Sequence, residues 1–157
     1  MSKRTVRSGS VYEDRMGFSR AVRVGDRVLV SGTAPIWPDG SCDPDPGAQA
    51  RRSLQIAVTA LAELGATPDD AVRTRMYLVD RADAEAVAQA HAEVFGAARP
   101  AATMVVVAGL LDARWRVEIE VEAQLATGQV PSGDPLSRAM NPWPTLRSAR
   151  VPRRRGE

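Results

Sequence analysis

The sequence is poorest in the residues from which metal centres and nucleophilic triads are built. It holds one cysteine, Cys42, and one histidine, His91, in 157 residues. A lone cysteine closes no internal disulfide. A zinc site needs clustered Cys, His or carboxylate ligands, so no metal is expected. His91 is the one residue able to act as base in a Ser-His-Asp arrangement. It falls on the apolar stripe of a helical segment, where a packed histidine is the simpler reading. Cys42 sits in a Pro/Asp-rich loop beside Asp43 and Asp45, whose charges disfavour a thiolate. There is no Walker-type loop and no Gly-x-Gly-x-x-Gly, and no cofactor is expected. No apolar run reaches the roughly 18 residues of a membrane helix. The basic Met1–Arg4 start leads into no apolar stretch, so no secretory signal is read. A cytoplasmic location without a membrane partner is the resulting expectation.

What is present is an ordinary globular composition: 44% hydrophobic and 25% charged residues. The sequence pI of about 9.2 points at first to nucleic acid. Residues 1–126, however, carry 15 Lys+Arg against 17 Asp+Glu, while residues 127–157 carry 6 against 2. The basic character belongs to the tail, so no nucleic-acid partner is expected. That tail, with Pro131, Pro135, Pro142, Pro144 and Pro152 and no periodicity, reads as disordered or loosely attached. Its Arg153-Arg154-Arg155 run reads as a solvated terminus.

Between these limits the patterns are clear. Phe18–Val24 and Arg27–Ser31 form a hairpin about Gly25-Asp26. Residues 34–45, broken by prolines, form a loop. Asp45-Pro46 opens a helix whose apolar stripe runs Leu54, Ala57, Val58, Leu61 and Leu64, ending at Gly65. Ala71–Val79 is a strand with Val72, Thr74, Met76 and Leu78 on one side and Arg73, Arg75 and Tyr77 on the other. Asp83 caps a second helix that ends at Gly96. Thr103–Ala108 reads as a buried strand. Trp115–Leu125 is a last strand with Val117, Ile119 and Val121 on one face and Glu118, Glu120 and Glu122 on the other. The order β-β-α-β-α-β-β implies an α+β fold, with one sheet and two helices on one face.

The three glutamates are the best acid/base candidates, since crowded carboxylates raise one another's pKa. Ion pairing with Arg73 and Arg75 on the same face is the competing reading.

Several segments, in order, resemble the Rid (YjgF-type) family, formerly described as L-PSP endoribonuclease-like. They are Gly25-Asp26-Arg27-Val28-Leu29-Val30-Ser31-Gly32, Gln49-Ala50-Arg51-Arg52-Ser53-Leu54, and Val72-Arg73-Thr74-Arg75-Met76-Tyr77-Leu78-Val79-Asp80. Val94-Phe95-Gly96, Arg99-Pro100-Ala101 and Val117-Glu118-Ile119-Glu120 follow. The match spans residues 17–126, leaving 1–16 as an N-terminal extension and 127–157 as the tail. The resemblance implies a chorismate-mutase-like fold with a mixed sheet, and a homotrimer whose three sheets form a central barrel. It also implies ligand pockets between subunits for a small molecule.

The best-known members hydrolyse enamines and imines such as 2-aminoacrylate, using an arginine after Pro-Ala to hold the substrate carboxylate. Here that position is Ala102. Phe18 stands where those members often have tyrosine. Retained are Ser31 and Gly32, whose backbone lines the pocket, and Glu118, matched to the glutamate that orients water. Thr103 and Met104 lie beside the altered position. The resemblance is thus to a subgroup without the arginine. Arg75 either anchors a ligand in its place or is a structural partner of the glutamates. Two functions stay open: an imine- or enamine-directed hydrolase other than the 2-aminoacrylate deaminase, or a non-catalytic metabolite-binding trimer. Endoribonuclease activity fits the sequence least.

Overall fold

The computed structural model describes residues 2–126. The tail expected over 127–157 lies outside the described residues. The elements in chain order are β1 (Lys3–Val6), α1 (Val11–Met16), β2 (Ala21–Val24), β3 (Arg27–Thr33), α2 (Pro46–Glu63), β4 (Ala71–Leu78), α3 (Ala84–Phe95), β5 (Ala101–Val106) and β6 (Val117–Gln124). The strands form one six-stranded sheet in the order β1-β2-β3-β6-β4-β5. All neighbours are antiparallel except β4 and β5, which the α3 crossover joins in parallel.

The helices form where the sequence places caps and stripes. Asp45 accepts the Ala48 amide at 2.6 Å and Pro46 occupies the first turn of α2. Ala50, Leu54, Ala57 and Leu61 face inward and are buried. Just beyond α2, Gly65 takes φ 84°, a conformation that a Cβ disfavours. In α3, Val87, Ala90 and Phe95 are buried. These stripes close over one sheet face made of Val28, Val30, Met76, Leu78, Val117, Ile119 and Val121.

Four expectations change. The extension 1–16 is not separate from the sheet. β1 pairs along its length with β2, Lys3 opposite Val24 and Val6 opposite Ala21. Lys3 and Arg4 obscure the strand pattern in sequence because only Val6 is buried. In β4, Val72 does not face the core: a bulge between Ala71 and Arg73 buries Ala71 and leaves Val72 exposed. Asp83 precedes α3 but does not cap it with its side chain. Its carboxylate instead takes two bonds from Arg116, at 2.7 and 2.8 Å. A paired, charge-assisted interaction outweighs one neutral amide. Finally β5, expected as a buried strand, is a sheet edge with Val105 and Val106 exposed. Its apolar sequence marks a strand that gains from burial, but its one partner within the sheet is β4.

Gln49 fixes the loops that border the site. Its buried amide donates to Asp43 O (2.7 Å) and Arg114 O (2.9 Å) and accepts from Arg116 N (2.7 Å). Gln49→Ala is expected to cost about 3 kcal/mol, at roughly 1 kcal/mol per hydrogen bond. The check is a lower urea midpoint at unchanged slope.

Candidate active site

Alternation along β6 puts Glu118, Glu120 and Glu122 on the face away from the helices, opposite Tyr77, Arg75 and Arg73 of β4. The three carboxylates then diverge. Arg75 Nη1 donates to Glu120 Oε2 (3.1 Å) and Glu122 Oε1 (2.9 Å). Arg27 reaches Glu122 from β3 at 3.3 Å. These contacts give the ion-paired alternative for Arg75. Glu118 instead turns toward Gly32, where β3 departs from regular pairing with β6 between Val30 and Thr33. A Cβ built at Gly32 would collide with Glu118 Oε1. Glycine is needed here for close approach, not for its dihedral freedom.

Beside this contact lies Arg20, only 6% exposed. Its Nη1 donates to Gly32 O (2.9 Å) and Thr33 Oγ1 (3.0 Å), and its Cζ lies 5.9 Å from the Phe18 ring centre. Its Nε is buried without a partner. Burial lowers the Arg20 pKa, while the charges of Glu13 and Glu118 oppose that shift. Glu13, at the start of α1, is also buried and accepts from the Ser8 amide (2.9 Å) and hydroxyl (2.7 Å). Burial pushes its pKa up, but the Ser8 bonds and the Arg20 charge prevail and hold it below the ordinary carboxylate range. Ser31 Oγ donates to Ser19 O at 2.7 Å, which pins the Phe18–Arg20 segment against β3.

Arg20, Gly32 and Glu118 border a cavity of about 290 Å³. Phe18, Ser31, Gly32 and Glu118, all expected from sequence, line it. Arg75, Ala102, Thr103 and Met104 do not. Ala102, Thr103 and Met104 lie on β5, opposite Thr74, Arg75 and Met76. Sequence reading missed Arg20, Tyr12, Met16, Ile36, Leu111 and Trp115, which also border the cavity. It missed Glu13 as well. No local signal set Arg20 apart, since Arg23 follows it in the same stretch and is not buried.

Glu118 is the ionisable group best suited to chemistry. Burial raises its pKa, Glu120 adds to the rise and Arg20 opposes it. Elsewhere, His91 Nε2 lies 2.9 Å from Thr74 Oγ1 and its ring packs 5.0 Å from Phe95, with burial lowering its pKa. Burial raises the Cys42 pKa, which favours the thiol. Among the described residues no three His, Cys, Asp or Glu side chains gather to hold a metal. No helix among them is long and apolar enough to cross a membrane.

The family model described as Endoribonuclease L-PSP matches residues 12–125. The chain belongs to the Rid/YjgF (L-PSP) family. Within the Rid family, Rv2704 of Mycobacterium tuberculosis, a member of the YjgF/YER057c/UK114 family, shares 40% identity. The match covers 79% of this chain and 100% of that one, with a TM-score of 0.74. YyfA of Yersinia pestis, also a Rid protein, is 27% identical over 79% of this chain and 100% of its own, with a TM-score of 0.70. A Streptomyces coelicolor protein is 43% identical over 121 residues, 76% of this chain and 90% of its own. A RutC family protein of Pyrococcus abyssi is 32% identical over 59% of this chain and 75% of its own. The mixed sheet with flanking helices is thus the Rid fold.

Two outcomes follow from the Glu118 geometry. A carboxylate with a raised folded-state pKa binds its proton more tightly in the native chain. Its contribution is therefore full below the unfolded pKa and is lost as pH rises through the folded value. Thermal melts should show wild type losing stability relative to Glu118→Gln as pH climbs above about 4.5. Gly32→Ala should displace the Glu118 carboxylate at little cost to the fold, because the atom it meets ends a flexible side chain; denaturant titration should give a midpoint close to wild type.

Proposed function

We propose that this cavity is a small-metabolite site in which Glu118 acts as general acid and base in hydrolysis of an imine- or enamine-type C–N bond. The observation that carries the reading is the separation of the three β6 glutamates. Arg75 ties down Glu120 and Glu122, while Glu118 opens into the cavity against Gly32. A raised pKa brings its proton exchange closer to neutral pH.

In the proposed reaction a water molecule adds its oxygen to the imine carbon and gives its proton to the Glu118 carboxylate. That proton passes to nitrogen to complete the carbinolamine; Glu118 then relays the carbinolamine hydroxyl proton to nitrogen, the C–N bond breaks, and ammonia and a carbonyl product leave. No redox partner is required. Membership of the Rid family supports this class of chemistry. Ala102 argues against the 2-aminoacrylate substrate, because a methyl group cannot bind a carboxylate as a guanidinium does.

The same reading includes a homotrimer with the charged sheet faces turned to a shared interior and the ligand sites at subunit borders. The exposed apolar face of β5 supports burial against another copy.

The test is ammonia release from a panel of freshly generated imines. Wild type should turn over at least one of them, and Glu118→Gln should lose about 100-fold or more. Breakdown of 2-aminoacrylate should stay near the uncatalysed rate. Light scattering should give the mass of a trimer. Equal rates in wild type and Glu118→Gln would remove the acid/base role. Absence of turnover across the panel, with thermal stabilisation by a metabolite, would leave a binding protein instead.

A further inference from the structure

Arg20 is the one buried arginine among the described residues. Arg51, Arg75 and Arg116, all more exposed, each form an ion pair. Arg20 forms none among the described residues, and its Nη1 bonds go to uncharged oxygens, Gly32 O and Thr33 Oγ1. Glu13 is held by Ser8 and by Arg7. Arg20 Nη2 has no partner among the described residues, and unlike Nε it is not sealed from solvent. A guanidinium taken out of water without a counter-ion is costly, so this one marks a place where an anion is held.

Besides the cavity that contains Glu118, Arg20 borders a second one of about 360 Å³, between α2 and the chain that follows β1. Arg7, Ser8, Arg52, Gln55 and Thr59 also line it. Arg52 repeats the pattern of Arg20. Its Nε donates to Ile36 O (2.7 Å) and its Nη1 to Gln55 Oε1 (2.8 Å), both uncharged, and it forms no ion pair among the described residues. Arg7 is already matched by Asp14. Among the described residues Glu63 is the one carboxylate that borders this cavity, and it pairs with neither Arg20 nor Arg52. Two unmatched guanidiniums on one cavity repel each other unless an anion lies between them. The first cavity offers an anion Arg20 alone, with the Glu118 carboxylate beside it. The second offers both cations, with the Ser8 and Thr59 hydroxyls and the Gln55 amide around them.

We propose that the second cavity binds the phosphate group of a small molecule, held between the guanidiniums of Arg20 and Arg52. A phosphate group carries about two charges on three terminal oxygens, enough to meet two guanidinium forks, whereas a carboxylate satisfies one. The site goes beyond the Glu118 chemistry and shares with that cavity only Arg20.

The experiment is a calorimetric titration of the full chain with inorganic phosphate at pH 8, with acetate as the comparison at matched ionic strength. Wild type should bind one phosphate per chain, at least tenfold more tightly than acetate. Gln55→Glu keeps the side-chain shape and puts a carboxylate where Arg52 already donates. It should weaken phosphate at least tenfold, and Arg52→Gln should do the same, with thermal melts showing that both variants are folded. Leu111→Asp, on the other cavity, should leave the phosphate affinity within twofold of wild type. Absence of saturable phosphate binding by wild type, or acetate bound as tightly, overturns the proposal without any variant. Phosphate affinity that survives either substitution in the folded chain also overturns it. So does its loss in Leu111→Asp, which would put the anion beside Glu118 instead. Imine turnover is measured separately, so failure here leaves the acid/base reading of Glu118 standing.

Discussion

A buried guanidinium organises this end of the molecule. Arg20 ties the segment leading into β2 to the irregular part of β3 through Gly32 and Thr33. An arginine removed from water is costly unless charges and acceptors surround it. The charges of Glu13 on α1 and Glu118 on β6 act against the effect of burial on it. The position of α1, the irregular pairing of β3 and the surroundings of Glu118 are therefore one electrostatic problem with one solution. Arg20 Nε remains without a partner. That unpaired donor costs stability, and the rest of the network has to offset it.

The strand β6 shows how little the residue type alone decides. Its three outward glutamates occupy equivalent places in the pleat, two residues apart. Glu120 and Glu122 share Arg75, and Glu122 also meets Arg27. Glu118 lies against Gly32 and shares a cavity with Arg20. Two of the carboxylates are paired within the sheet, and burial raises the pKa of the third. Neighbouring strands make that division, because β3 withdraws a side chain at Gly32 where the carboxylate needs room.

Much of the fold was legible because periodicity and caps are local. Asp45-Pro46 and Gly65 bounded α2 correctly, and alternation gave β4 and β6 their faces apart from the bulge at Val72. β1 was not legible: three of its four residues are exposed, so its pairing leaves no apolar alternation to read. The candidate site was half legible. Phe18, Ser31, Gly32 and Glu118 came from the family resemblance and share one cavity. Arg20 and Glu13 did not, because a buried charge looks in sequence like any surface charge until its partners are assembled from distant segments. Arg75 illustrates the converse. Its face was read correctly, but its partners are chosen by strand register, which sequence spacing does not supply.

The two margins of the sheet are chemically opposite. β1 presents Lys3 and Arg4 to solvent at one margin, whereas β5 runs from Ala101 to Val106 without a single charge at the other. Docking a foreign strand against β1 would strip water from an ammonium and a guanidinium group, which discourages the contact. β5 carries no such deterrent. A ribbon that welcomes neighbours on one side only cannot be extended repeatedly in register, so this polarity guards the chain against growing into a cross-β fibril.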